Sequence, residues 1–464
     1  MARSSLLAIP IAFASALGQG PARGNSPAPP QIDYALTNVR IVTAPGKVIE
    51  RGTVLTSNGR IAAVGAQVNI PAGVVRMDLA GHTVYAGLID AATSIGLPSP
   101  TRQVAAAEAA PAAGGRGGRG AAPGGGRASI PTAGGRAASP PPPVVLPQID
   151  ASAEAADMFS PTADELKNFR AGGVTTVGLV FNGGIFPGRV GAALTAKGDN
   201  SHLGLRSSVG QEVAFGTKPG GAYPGTGIGS VAFIRQAFLD AQYEARLDKA
   251  FKTGTPGPRP TNDPFARALM PAAANEMPSW FVATHEREIT RVGEIAKEMA
   301  LKSPVVVGAQ EGWRSISALK ASGATVVVSL EWPNADSVTG HDFELYGAGK
   351  TGKLTPAEQT ADAAAVKANA AALAKAGIPV ALASFGGASG TTFRDRIRAT
   401  IEAGMSADDA LKAATVTPAA LLGITAAVGT IEPGKLANLV VVSGNDLFAS
   451  GTPIKHVFVE GRLY

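Results

Sequence analysis

This chain of 464 residues has no cysteine and only five histidines. The missing cysteine excludes disulfides, a lipid-modified N-terminal cysteine and thiolate metal sites. Beyond the N-terminal region no run of roughly 18 uninterrupted apolar residues occurs, so no segment reads as a membrane-spanning helix. There is no H-x-H, no H-E-x-x-H and no carboxylate triplet with calcium-loop spacing. No G-x-G-x-x-G follows a strand-like run, which removes the usual mark of a doubly wound dinucleotide-binding sheet. Charge of one sign is also scarce. The formal net charge is +6, and residues 101–146 supply +4 of it, through Arg102, Arg116, Arg119, Arg127 and Arg136 against Glu108. The remainder is close to neutral and gives no general argument for binding nucleic acid.

What is present is a chain long enough for one large α/β domain with a smaller companion. Its first residues look like a targeting signal: Arg3 as a short positive region, a mostly apolar Leu6–Leu17, and Ala14-Ser15-Ala16 as a cleavage site. The expectation is a signal peptide over 1–18, a disordered leader over 19–31, and a periplasmic or secreted product.

From Tyr34 the pattern turns to short strands: Tyr34–Val42, Val54–Leu55, Ile61–Val64 and Val74–Leu79, with turn signals such as Ser57-Asn58-Gly59 between them. The C-terminus behaves alike, with strands at Leu439–Val442 and Ile454–Val459. Two β segments at opposite ends of a chain can pair, which predicts a composite β-sandwich from residues 32–85 and 428–464. Between them strands and helices alternate. Val174–Val180, Trp280–Ala283, Val305–Val307, Thr325–Leu330 and Val380–Ala383 read as strands; Val231–Ala250, Glu286–Met299, Ala361–Lys375 and Thr391–Glu402 read as helices. Repeated βα units over residues 86–427 predict an α/β fold, a (β/α)₈ TIM-like barrel or a variant of one. Residues 101–146 interrupt the pattern with Gly/Arg/Pro-rich runs that cannot bury apolar surface, and read as a flexible insertion after the first barrel strand. The Arg-Gly-Gly repeats lack interleaved aromatics for base stacking, so no nucleic-acid partner is expected.

Several motifs combine in order and spacing. They are Ala35–Val42, Asn58–Gly65, Asp78–Val84, then Gly87-Leu88-Ile89-Asp90, and at the C-terminal end Ala410–Ala414, Thr417-Pro418-Ala419, Leu421-Leu422-Gly423 and Gly429–Val440. Together they resemble the amidohydrolase superfamily, in particular imidazolonepropionase-like members, over roughly residues 33–464. The resemblance implies a barrel with a split β-sandwich and hydrolysis of non-peptide C–N bonds in small amides or cyclic amides. It also implies a zinc site built from H-x-H after strand one, a mid-barrel Lys or Glu bridge, a His after each of strands five and six, and an Asp after strand eight. In this sequence Ala92 and Ser94 stand at the first pair, Gln310 at the sixth-strand position and Phe385 at the eighth. His285 follows the fifth strand at or beside the expected place, where a one-residue offset turns a side chain to the other face. The bridging residue is not placed by sequence. His82 and His456 fall in the β segments, and His202 and His341 in loops. Alanine has no donor atom and a serine hydroxyl is a poor zinc ligand. No metal ligand set and no cofactor are therefore expected.

Polar residues at strand ends remain. His285, Glu311 and Ser384 are candidates for a residual acid–base pocket, and Arg189, in the loop after Val174–Val180, for contact with an anionic group. Asp90 reads as structural, tying the strand end to backbone. Gly387-Ala388-Ser389-Gly390-Thr391 misses the final glycine of a serine nucleophile elbow, and Gly347–Lys353 is followed by Leu354 where a P-loop needs Ser or Thr. The sequence thus predicts a catalytically degenerate amidohydrolase that binds a small molecule or pairs with itself or an intact homologue. A metal-independent hydrolase is the alternative.

Overall fold

A computed structural model describes residues 32–98, 149–181, 183–197, 203–216, 224–332, 356–385 and 390–464. The expected signal peptide, leader and insertion, together with His202, His341, Gly347–Lys353 and Gly387–Ser389, lie outside the described residues.

The chain opens with β1 (Tyr34–Ala44), β2 (Lys47–Ser57), β3 (Arg60–Gly65), β4 (Val75–Asp78) and β5 (His82–Ala86). β1 pairs antiparallel with β2 and parallel with both β4 and β5. Asn58 and Gly59 take positive φ of 50° and 78° in the β2–β3 turn, which is why an Asn-Gly pair sits there.

Eight further strands follow: β6 (Leu88–Thr93), β7 (Val174–Leu179), β8 (Arg189–Leu194), β9 (Gly204–Ala214), β10 (Ser279–Ala283), β11 (Val305–Gly308), β12 (Thr325–Ser329) and β13 (Val380–Ala383). They form one sheet in chain order. Its first and last strands meet where the Phe385 N–H donates to the Ala92 carbonyl over 2.9 Å, closing a barrel. The expected repeat of βα units is broken at one place. β8 runs antiparallel to both β7 and β9. A parallel crossover needs a dozen or more residues, and only residues 180–188 and 195–203 connect these strands, so they fold as a meander. The other seven strands run parallel.

The helices in chain order are α1 (Ala155–Met158), α2 (Ala163–Ala171), α3 (Gly227–Lys252), α4 (Pro264–Ala273), α5 (Glu286–Glu298), α6 (Ile316–Ser322), α7 (Pro356–Lys375), α8 (Gly390–Glu402), α9 (Ala407–Ala413) and α10 (Val416–Leu421). Local chemistry sets their starts. Thr162 and Glu165 form a reciprocal capping box on α2, and the Asp263 side chain before Pro264 accepts the Phe265 N–H on α4. Period-two alternation sorts the barrel strands. Val305, Val307, Val327, Ala381 and Ala383 join Ile89, Ala91 and Trp280 in one cluster, whereas Val306, Val326, Val328, Phe281 and Leu382 pack outward with Phe238, Ile289, Val292, Leu373 and Ile397 of the helices. The inner cluster is continued by Ala419, Leu422, Ile424 and Val428. Where α2 ends, Gly172 lies so close to Gly390 that a Cβ there would stand 1.8 Å from the Gly390 carbonyl oxygen.

The C-terminal strands β14 (Leu439–Ser443), β15 (Ile454–Val459) and β16 (Arg462–Leu463) return to the start of the chain. β14 pairs antiparallel with β5, Leu439 opposite Ala86 and Ser443 opposite His82. The two termini thereby build one sheet in the order β16-β15-β14-β5-β1-β2-β3, with β4 beside β1. Its core holds Leu36, Ile41, Val54, Ile61, Leu439, Val441 and Phe458, and the Tyr34 ring meets Phe458 edge-on at 5.4 Å between centroids.

Candidate functional site at the barrel mouth

The C-terminal ends of the parallel strands converge on one face, where a barrel presents reactive groups. On the first strand Ile89 and Ala91 fill the interior, and Ala92 is fully buried in the same apolar cluster. Phe385 packs against that cluster too, at a positive φ of 53° that is uncommon for an aromatic residue. Its N–H bond to Ala92 holds it there. At two positions where the resemblance would place ligands, the chain thus makes an apolar contact.

Asp90 turns to the seam instead. Its Oδ1 accepts the Ser384 N–H at 2.9 Å and the Ala92 N–H at 3.3 Å, while Oδ2 and the Ser384 hydroxyl lie 2.5 Å apart. Both residues are fully buried. Burial pushes the Asp90 carboxyl up to about 7, against the three hydrogen bonds that favour its charged form. Ser384 therefore serves the closure of the barrel together with Asp90.

The fourth strand carries a group that sequence reasoning missed. Glu212 lies opposite Trp280 in register and, like it, is fully buried. Its Oε2 accepts the Phe181 N–H at 2.7 Å, and its Oε1 has no hydrogen-bond partner. Burial raises this carboxyl to about 8, with the Phe181 N–H acting the other way. The one available signal was an acid inside the strand-like run Val209-Gly210-Gln211-Glu212-Val213-Ala214.

His285 and Glu311 meet at the rim. The His285 Nδ1 stands 3.8 Å from the Glu311 Oε1, and both side chains are partly exposed. Glu311 Oε2 accepts the Glu286 N–H at 2.8 Å. Burial raises the Glu311 carboxyl, but the hydrogen bonds from His285 and Glu286 and the charges of His285 and Arg314 outweigh it and hold the carboxyl low. His285 is the N-cap of α5 and stays extended at φ −99° and ψ 156°. Because Trp280 and Val282 face the interior and Phe281 and Ala283 face outward, the alternation carries Thr284 inward and His285 outward. Gln310 donates to the Glu331 carbonyl. Arg189 is engaged by Glu154 at 3.0 Å and donates to the Ala268 carbonyl at 3.1 Å, so its charge is already balanced. The structure thus joins Ser384 to Asp90 across the barrel seam and His285 to Glu311 on strands five and six.

Among the described residues no group of three or more His, Asp or Glu side chains is arranged to hold a metal ion. Among the described residues the donor chemistry does not fit the zinc site that the fold implies. Glu212 offers one carboxylate, Asp90 is taken by Ser384, Ala92 and Phe385 offer none, and His285 faces away.

The amidohydrolase family pattern matches residues 316–464. A solved amidohydrolase from Thermotoga maritima MSB8 superimposes with a TM-score of 0.69 at 22% identity, covering 93% of this chain and 99% of its own. The fold is that of the amidohydrolase superfamily. A prolidase crystallised with N-methylphosphonate-L-proline (TM-score 0.51, 18% identity, 93% of this chain and 99% of that one) and phenylurea hydrolase B (TM-score 0.52, 15% identity, 93% and 96%) share it. None of the curated proteins matches this chain. No helix among the described residues is long and apolar enough to cross a membrane.

Proposed function

We propose that this protein is a catalytically degenerate amidohydrolase, exported from the cytoplasm, that binds a small amide-like molecule or a protein partner without metal-dependent hydrolysis. The observation that carries the reading is the contact of Phe385 with the Ala92 cluster. Metal-assisted hydrolysis needs a cation to lower the pKa of water and to polarise the carbonyl. Methyl and phenyl groups cannot hold one. The two deeply buried carboxyls do not compensate. At neutral pH burial favours the neutral form of Glu212 and leaves Asp90 near half-protonated, each with its hydrogen bond to backbone. Glu212, fully buried with its Oε1 closed off from solvent, is not placed to activate a water for turnover.

The His285–Glu311 pair supports a second reading, metal-independent acid–base hydrolysis, since a carboxylate beside an imidazole can move a proton. Its outward position on the rim places it off the barrel axis. The test is turnover of lactams, imides and dipeptides by the mature protein, with and without added Zn²⁺, Co²⁺ or Mn²⁺. The degenerate reading expects no hydrolysis above buffer in any condition. Metal-stimulated turnover contradicts it. Metal-independent turnover abolished by His285→Ala or Glu311→Gln establishes the second reading instead.

A further inference from the structure

Four of the nine large hydrophobic side chains exposed among the described residues lie on one helix, α3: Ile228 at 70%, Leu239 at 47%, Tyr243 at 47% and Phe251 at 58%. The inner face of α3 is spent on the barrel through Val231, Ile234, Ala237, Phe238 and Ala241. At 100° per residue, Ile228, Ala232, Arg235, Leu239, Tyr243, Arg246 and Ala250 form a second stripe on roughly the opposite side. A concentration of apolar surface of this kind on an otherwise polar exterior marks an interaction face.

The order of residues along the stripe says what covers it. Taken about Leu239, Ile228 mirrors Ala250, Ala232 mirrors Arg246, and Arg235 mirrors Tyr243. A two-fold axis through Leu239 would lay α3 antiparallel on its own copy. Each pair is then complementary: apolar on apolar, a small side chain opposite a long one, and a guanidinium against a phenol ring. Leu239 meets itself at the centre. An isologous interface requires this self-complementarity, residue i touching j while j touches i. Tyr243 already carries Arg246 over its ring at 5.8 Å, so Arg235 of the second copy would complete the other face. Arg235 pairs with Glu298 at 2.5 Å through its Nε, which leaves the plane of the guanidinium open to a ring. A cavity of about 560 Å³ between α3 and α5, lined by Ile228, Ala232, Arg235, Arg287 and Arg291, lies at the N-terminal end of the stripe. The partner's Ala250 turn, with the exposed Phe251, would arrive there. We infer that this chain forms a two-fold dimer through the outer face of α3.

The absence of cysteine makes the test direct. In Leu239→Cys the two thiols stand on the axis, and mild copper-phenanthroline oxidation should cross-link most of the protein as a dimer within minutes. Asp164→Cys, at an exposed position on α2, should remain largely uncross-linked under the same treatment. By sedimentation velocity the wild type should run at twice the chain mass, and Leu239→Glu should weaken dimerisation at least tenfold with an unchanged far-ultraviolet circular dichroism spectrum. A wild type that stays monomeric at tens of micromolar overturns the inference. So does a Leu239→Glu dimer of wild-type affinity, or Leu239→Cys cross-linking no faster than Asp164→Cys.

Discussion

Replacing Asp90 by Asn tests the electrostatics at the barrel seam. In the folded protein burial lifts this carboxyl from 3.8 to about 7. A folded-state value above the unfolded one means that the folded state binds the proton more tightly. The associated stability is fully present below the unfolded value, near pH 4, and is lost as pH rises through 7. The shift is about 3 units, so the total is about 4 kcal/mol at about 1.4 kcal/mol per unit. Between about pH 5 and about pH 8 the wild type should lose about 2–3 kcal/mol from this group alone. Asn keeps the geometry. Its carbonyl accepts the Ser384 and Ala92 N–H groups, and its amide donates to the Ser384 hydroxyl, as protonated Asp90 would. The variant has no charge to desolvate. Urea unfolding at the two pH values should show a fall in stability smaller than wild type by about 2–3 kcal/mol. Equal pH dependence in wild type and variant would refute the claim that Asp90 ionises inside the barrel at a cost.

Three further expectations concern the frame. Trp280→Ala, removing a fully buried ring from the barrel interior, should cost about 3–5 kcal/mol, read as a drop in the urea midpoint. Glu154→Ala leaves the largely buried Arg189 without its counter-ion and should cost about 1–3 kcal/mol, with much of the loss restored when Arg189→Met is added. Gly172→Ala drives a methyl against the Gly390 backbone and should give little soluble protein, whereas Gly377→Ala, which meets no neighbouring atom, should be stable enough to purify despite its positive φ.

The parts of the fold written in period-two and βα patterns were legible in the sequence. Tyr34–Val42, Leu439–Val442, Ile454–Val459 and Val380–Ala383 are strands almost to the residue, because each alternates or sits in an apolar run bounded by turns. The antiparallel β8 and its neighbour β9 were not. Small residues dominate Gly191-Ala192-Ala193, and Arg206-Ser207-Ser208 is polar, so neither gives a clean apolar period. The site was legible as a set of substitutions, Ala92 and Phe385 above all, since a missing donor can be seen without coordinates. Two facts needed the third dimension. Glu212 becomes notable only once β9 is known to be the fourth barrel strand. Ser384 and Asp90, 294 positions apart, meet only because the barrel closes. For His285 the sequence left the register open by one residue, and the inward Trp280 and Val282 fix it by alternation.

The central claim is that the barrel mouth of this amidohydrolase fold no longer holds a metal. Metal content of the purified mature protein, after incubation with Zn²⁺ and desalting, tests it by elemental mass spectrometry. Near-zero metal per chain is the predicted result. One or two tightly held zinc ions per chain would contradict the account, and would mean that Glu212 and ligands outside the described residues rebuild the site.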